Sequence, residues 1–157
     1  MANKQASPDE PLVCVNRQAR HNYFIDETYE AGLVLVGSEV KSLRDGKANL
    51  SDSYAQIRKG EAFLINFHIS PYPGANQFNH EPTRTRKLLL NAREIDRLTG
   101  KTKERGLTLV ALKVYFKNGR AKVEIGLGRG KKLYDKRETL KRKNAERDIE
   151  RSLRARR

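Results

Sequence analysis

The stretch Leu107 to Leu127, LTLVALKVYFKNGRAKVEIGL, decides the fold. Its two runs, Leu107 to Phe116 and Arg120 to Leu127, show the period-two patterning of strands. Asn118-Gly119 lies between them, and both residues tolerate the positive φ that a two-residue turn between twisted antiparallel strands requires. The segment therefore predicts a β-hairpin.

Upstream, Leu88-Leu89-Leu90 is a short apolar run, and Asn91 and Glu94 have capping-box spacing with Asn in place of Ser or Thr. A helix is expected from Ala92 to about Leu98, with Gly100 as its C-terminal cap and the cations of Lys101 to Arg105 beyond it. A second hairpin is expected from Ser53 to Arg58 and Glu61 to Ile69, bent at Lys59-Gly60. From Tyr23 to Val40, apolar residues on both sides of a period-two pattern, broken by Gly32 and Gly37, predict two strands. Lys41 to Ala48, with Asp45-Gly46, reads as a short helix or turn.

About six strands, one capped helix and no strand–helix–strand rhythm predict a mainly β protein with short helices. Its architecture is a small antiparallel barrel of the oligonucleotide-binding type, with a sandwich as the alternative. Ser70 to Thr83 is dense in Pro, Gly and Asn and is expected to be a long exposed loop. It carries Tyr72, Phe78 and His80 and runs into Arg84, Arg86 and Lys87, and aromatics among cations suit RNA contact.

The chain has 157 residues and a formal net charge of +14. So large a charge on one small domain repels itself, and it suits a polyanion whose counterions Lys and Arg displace. A membrane surface is the weaker candidate, because the chain lacks Trp and its aromatic content is 7%. Cys14 is the single cysteine, so neither an intrachain disulfide nor a thiolate metal cage is available, which fits a reducing cytoplasm. No export signal is read at the N-terminus and no segment is expected to span a membrane.

Three parts follow: a mobile N-terminal arm (1–11), an RNA-binding barrel (12–130) and a basic tail (131–157). The tail holds twelve Lys or Arg against five Asp or Glu, so +7 of the net charge lies there. Its sparse apolar residues predict disorder in isolation, and its helix-forming composition predicts a helix on a polyanion. A solvated tail that aids solubility is the plainer alternative.

Several segments carry a resemblance: Asn16-Arg17-Gln18-Ala19-Arg20-His21-Asn22-Tyr23, Glu30-Ala31-Gly32-Leu33 and Gly37-Ser38-Glu39-Val40-Lys41-Ser42-Leu43-Arg44. Arg84-Thr85-Arg86-Lys87-Leu88-Leu89-Leu90 and Gly130-Lys131-Lys132-Leu133-Tyr134-Asp135-Lys136-Arg137 follow in order. In order and spacing the chain resembles the SsrA-binding protein family, also called small protein B, from about Cys14 to Lys143. Gln18, Asn22 and Ala111 depart from the family's usual residues. The resemblance implies a barrel that grips the tRNA-like part of transfer-messenger RNA (tmRNA) and a tail that enters the empty messenger channel of a stalled ribosome. The body then stands in for codon–anticodon pairing, which leads to peptide tagging and ribosome rescue. Implied partners are tmRNA, small-subunit ribosomal RNA, and elongation factor Tu through aminoacylated tmRNA.

Asn16, Arg17 and Arg20 offer an amide and two guanidinium groups to an RNA loop, with a solvated turn as the alternative. His21 and His80 are candidates for stacking on or hydrogen-bonding RNA, whereas His68, within a strand, reads as structural. Lys41, Arg44, Arg84, Arg86 and Lys87 are candidate phosphate contacts. The resemblance assigns Glu30 and Leu90 to the RNA face, although leucine is by default a core residue. It assigns Gly130, Lys131, Asp135, Lys136 and Arg137 to the ribosomal decoding region, with an Asp135–lysine helical ion pair as the alternative.

Gly126, Gly128 and Gly130 before Lys131 lack the spacing of a nucleotide-binding loop. No nucleophile elbow, metal-binding histidine pair or catalytic carboxylate cluster is read, so neither an enzyme nor a cofactor is expected.

Overall fold

A computed structural model describes residues 11–131 and 133–155. Along them β1 (Leu12–Val15) leads through α1 (Ala19–Asn22) into β2 (Tyr23–Leu33) and α2 (Gly37–Arg44). The short β3 (Ala48–Asn49) is followed by β4 (Tyr54–Arg58), β5 (Glu61–Ile65) and the short β6 (His68–Ile69). After a 3-10 turn at Pro73–Phe78 come β7 (Arg86–Leu89), α3 (Ala92–Arg105), β8 (Thr108–Lys117), β9 (Arg120–Gly130) and α4 (Leu133–Ala155). The N-terminal arm expected over 1–11 lies, except for Pro11, outside the described residues.

The main sheet runs β1-β8-β4-β5-β7-β2-β9, and β9 also pairs with β8. That last pairing closes a six-stranded antiparallel ring, β8-β4-β5-β7-β2-β9, with β1 added alongside β8. The expected oligonucleotide-binding-like barrel is thus the architecture. Closure removes most free edges, which would otherwise invite pairing with another chain.

The Asn118-Gly119 hairpin forms as expected, with φ of 52° and 74° at the two turn residues. Inward residues on β9 keep one parity: Ala121, Val123, Ile125 and Leu127. On β8 they change from Leu109 and Ala111 to Val114 and Phe116, because the register slips between Ala111 and Lys113. One extra residue in a strand moves every later side chain to the opposite face. The other face of early β8 is buried too, since Val110 and Leu112 pack with Ala19 of α1 and with Tyr23 and Ile25. Gly126 and Gly128 permit this second layer: a Cβ at Gly126 would lie 3.0 Å from both Ile25 Cγ2 and Leu112 Cδ1. Their role is close packing.

Two expectations need correction. Tyr23 to Val40 holds one strand, Tyr23–Leu33, in place of two, and α2 starts at Gly37 rather than at Lys41. Ser38, Glu39, Ser42 and Leu43 bury one helical face, a spacing concealed by the apolar run Leu33 to Val36. Helix α3 continues through Gly100 to Arg105 and is capped by Gly106, whose φ is +62°. Leu98, fully buried, anchors α3, and Lys101 reaches Glu27, so packing and ion pairing extend the helix past a weak helix former.

The tail adopts the helix its composition favours: α4 spans 23 residues. Leu140, Ile149 and Leu153 of α4 are exposed, while Thr139 is buried.

Candidate nucleic-acid interface

Strand β2 separates two basic regions. It pairs antiparallel with β9 from Tyr23–Gly130 at one end to Gly32–Lys122 at the other. At 3.3 to 3.4 Å per residue those ends are about 30 Å apart. One region surrounds the Asn118-Gly119 turn; the other surrounds the exit into α4.

At the turn end, Glu30 is exposed and its carboxylate accepts a hydrogen bond from the Tyr115 hydroxyl. Lys117 Nζ stands 3.5 Å away. Partial burial pushes the Glu30 pKa up, but Tyr115 and Lys117 outweigh it and hold the carboxyl below its ordinary value. The carboxylate is therefore ionised at neutral pH and held by Tyr115 and Lys117.

Beside it, a surface cavity of about 240 Å³ is lined by Gly32, Leu35, Leu89, Arg120 and Lys122. A Cβ on Gly32 would lie 3.3 Å from Leu89 Cβ, so glycine permits the tight approach of β2 to β7 there. Leu89, 56% exposed, is the outward residue of the leucine run; Leu90 is half-buried and packs against the core. Arg120, Lys122 and Leu89 were not singled out in the sequence. Only the β2–β9 register places Lys122 opposite Gly32.

The basic residues of α2 and β7 have unequal roles. Lys41 and Lys87 are exposed, and the Lys41 ammonium lies 5.4 Å from the Tyr72 ring centroid. Arg44 places its guanidinium 5.1 Å from the Phe116 ring centroid. Lys87 Nζ is 3.3 Å from Glu61, an exposed pair of small energetic value. Arg84 is part-exposed and donates to Glu39 Oε1 at 2.6 Å.

Arg86 does not belong with them. Its side chain is fully buried, bonded to Glu39 Oε2 and the Phe67 carbonyl, with Pro82 O at 3.1 Å. A guanidinium sealed in this way cannot reach a phosphate, so its expected RNA contact is corrected to a structural ion pair. His80 is corrected likewise: it is buried, 2.9 Å from both Ser38 Oγ and the Ile69 carbonyl, while His68 is exposed.

At the exit end, Arg17 and Arg20 are exposed and His21 is half-buried. Asn16 is buried, and its Nδ2 donates to the Ala111 carbonyl at 3.1 Å and the Leu50 carbonyl at 3.4 Å. Those two acceptors fix the amide orientation, so Asn16 supports the segment and its RNA contact is corrected to a tie between β8 and the loop before β4. Lys131 N–H bonds the Asn22 carbonyl at 2.8 Å, extending the β2–β9 ladder beyond Gly130. Its ammonium reaches the Arg20 carbonyl at 2.9 Å and Thr139 Oγ1 at 3.0 Å, joining α1 to α4. Phe24 completes the corner, with Arg129 and Lys131 at 5.6 and 4.8 Å from its ring centroid. Lys136 is half-buried and Arg137 exposed; the Asp135 side chain lies outside the described residues.

Among the described residues no group of three or more His, Cys, Asp or Glu is placed to hold a metal ion. None of their helices is long and apolar enough to cross a membrane. Burial raises the Cys14 thiol to about 11, opposed by a Val114 backbone hydrogen bond, so the thiolate is scarce at neutral pH.

Comparison with known proteins matches this basic barrel and its tail to one family. The family model described as SmpB protein matches residues 13–155. The SsrA-binding protein of Geobacillus thermodenitrificans (strain NG80-2) is 62% identical over 145 residues, covering 92% of this chain and 94% of the relative. That of Desulforudis audaxviator (strain MP104C) is 62% identical over 149 residues, covering 95% and 97%. A solved chain described as "tmRNA-SmpB: a journey to the center of the bacterial ribosome" superposes with a TM-score of 0.67 at 50% identity, covering 83% of this chain and 94% of that one. With the match running from β1 to the last described residue of α4, the chain belongs to the SmpB protein family.

Proposed function

We propose that this protein binds tmRNA and delivers it to stalled ribosomes for trans-translation. The observation that carries the reading is the separation of two cationic regions by the length of β2 on a closed barrel. One protein surface can then hold an RNA while the other addresses a second RNA. The relatives' name supplies the first partner, SsrA RNA, and the solved neighbour is described with tmRNA and the bacterial ribosome.

In this reading the turn end grips the tRNA-like part of tmRNA through Glu30, Leu90, Lys41, Arg44, Arg84 and Lys87, joined by Leu89, Arg120 and Lys122. Arg17, Arg20 and His21 lie with the exit end, beside Gly130, Lys131, Asp135, Lys136 and Arg137, and face small-subunit ribosomal RNA near the decoding region. The tail exchanges with unfolded forms when free and is held as α4 in the messenger channel, where phosphates offset its self-repulsion. Elongation factor Tu joins through the aminoacylated tmRNA. The role is binding and delivery in the cytoplasm, with no catalytic step or cofactor assigned to the chain.

Binding to tmRNA, to an ordinary tRNA and to an unrelated structured RNA at two salt concentrations tests the reading. A preference for tmRNA that persists at the higher salt is expected, because phosphate attraction alone weakens steeply with salt. Equal, salt-erased binding to all three would leave only a generic basic surface.

Glu30→Ala is expected to weaken tmRNA binding by about tenfold, in line with loss of one good base contact. The sign is diagnostic, since removing a negative charge strengthens non-specific attraction to RNA. Affinity that rises at every salt concentration would show that Glu30 makes no contact.

A further inference from the structure

The loop between β6 and β7 is fixed at several points yet leaves one aromatic ring in solvent. Asn79 closes it: Oδ1 accepts from the Tyr72 N–H at 2.9 Å, and Nδ2 donates to the Tyr72 carbonyl at 2.7 Å. His80, the next residue, is buried and bonded to Ser38 and Ile69. The Tyr72 ring is already covered by Lys41 and by Gly74, where a Cβ would lie 2.9 Å from Tyr72 Cε1. Phe78 ends the 3-10 turn and is 81% exposed.

We propose that Phe78 is a stacking platform for one unpaired base of the tRNA-like part of tmRNA, with Lys41 attracting the adjoining phosphate. The proposal rests on the tmRNA-binding reading above. A base presents a flat π-face that one ring can satisfy, and stacking of this kind tolerates any base. A protein partner would instead need a broad apolar core around its anchor, whereas Gln77 beside Phe78 is polar and exposed. The clamp at Asn79 and the anchor at His80 hold the loop backbone before RNA arrives, which lowers the ordering cost of binding. The loop is tied to α2 through Ser38–His80 and Lys41–Tyr72, and its far end through Arg84–Glu39. Those ties place it with the turn-end cations, which favours tmRNA over ribosomal RNA as the source of the base.

Because the chain has no Trp, Phe78→Trp introduces a sole fluorescent reporter at the platform. Quenching of that Trp on addition of the tRNA-like fragment of tmRNA is expected, with a smaller response to a small-subunit decoding-region fragment. Phe78→Ala and Phe78→Leu are expected to bind the tRNA-like fragment about tenfold more weakly, and Phe78→Tyr to retain affinity. The side chain is exposed, so these variants should match the parent in thermal unfolding. An unquenched Trp together with full affinity in Phe78→Ala would overturn the proposal. Full affinity in Phe78→Leu would overturn it as well, by showing an apolar contact in place of stacking, and stronger quenching by the decoding-region fragment would overturn the choice of RNA. If the unsubstituted protein shows no preference for tmRNA over tRNA, the underlying reading fails, a result that is separable from loss of preference in the Phe78 variants alone.

Discussion

Truncation after Gly130 is expected to abolish peptide tagging on stalled ribosomes while tmRNA binding persists. The barrel ring is complete at Gly130, which still pairs with Tyr23. What the deletion removes from the body is the α1–α4 corner, where Lys131 spans the Arg20 carbonyl and Thr139. The turn-end surface, about 30 Å away along β2, keeps Glu30, Leu89, Arg120 and Lys122 in place. The deletion also takes +7 of the +14 net charge, so general RNA attraction falls and the salt dependence of binding becomes shallower. The tmRNA preference over an ordinary tRNA should nevertheless survive, because preference arises from the retained surface. Affinity and tagging measured on the same truncated protein decide the matter. Equal loss of both would show that barrel and tail act as one RNA-binding unit.

How far the fold could be read in advance depended on whether a local rule was sufficient. Asn118-Gly119 carries its own turn geometry, so the β8–β9 hairpin was legible from a few residues, as was the Lys59-Gly60 bend with φ of 48° and 76°. The slip on β8 was not, since Val110 and Leu112 are buried on the second face and both parities look apolar. Gly100 resembled a helix end because its helix propensity is poor, but Leu98 and Lys101 hold α3 together through tertiary contacts.

The site divided along the same line. Residue type revealed that cations were abundant, whereas burial and pairing are long-range facts. Arg84, Arg86 and Lys87 lie within four positions of one another, and both arginines meet the sealed Glu39 carboxylate, yet only the Arg86 side chain is itself fully buried and drops out of the RNA face. Lys122 became visible only once the register placed it opposite Gly32. The burial of His68 and His80 is the reverse of the expected one for a similar reason: the short β6 leaves His68 exposed, and the loop folds His80 back onto α2.

Glu39→Ala is expected to destabilise the protein by about 3–5 kcal/mol, the usual consequence of stranding one member of a buried ion pair. Total stability for a single domain is about 5–15 kcal/mol, so the loss is a large share of it. Both side chains of the Glu39–Arg86 pair are fully buried, and Arg86 also ties the Phe67 and Pro82 carbonyls. Glu39 further accepts the Val36 N–H at 3.0 Å, capping α2, and receives Arg84. Desolvation pushes the Glu39 carboxyl up, but Arg84, the Val36 N–H and Arg86 outweigh it and hold the pKa below the usual carboxylate value. A carboxyl depressed in the folded state contributes stability that is present above its unfolded pKa and lost as pH falls through the folded one. The stability gap between parent and Glu39→Gln should therefore narrow from neutral pH to about pH 3. Urea midpoints at the two pH values measure it, and a gap that stays constant would show that the carboxylate charge contributes nothing. Replacing both partners, Glu39→Gln with Arg86→Met, should recover part of the loss, since no unpaired charge then remains in the core. Because the same pair holds α2 against the start of β7, Glu39→Ala should also weaken tmRNA binding without touching RNA, through disorder of Lys41, Arg44 and Arg84. Recovery of affinity in the double variant would assign that effect to the scaffold, whereas a double variant that is stable and still binds poorly would give Arg86 a more direct role.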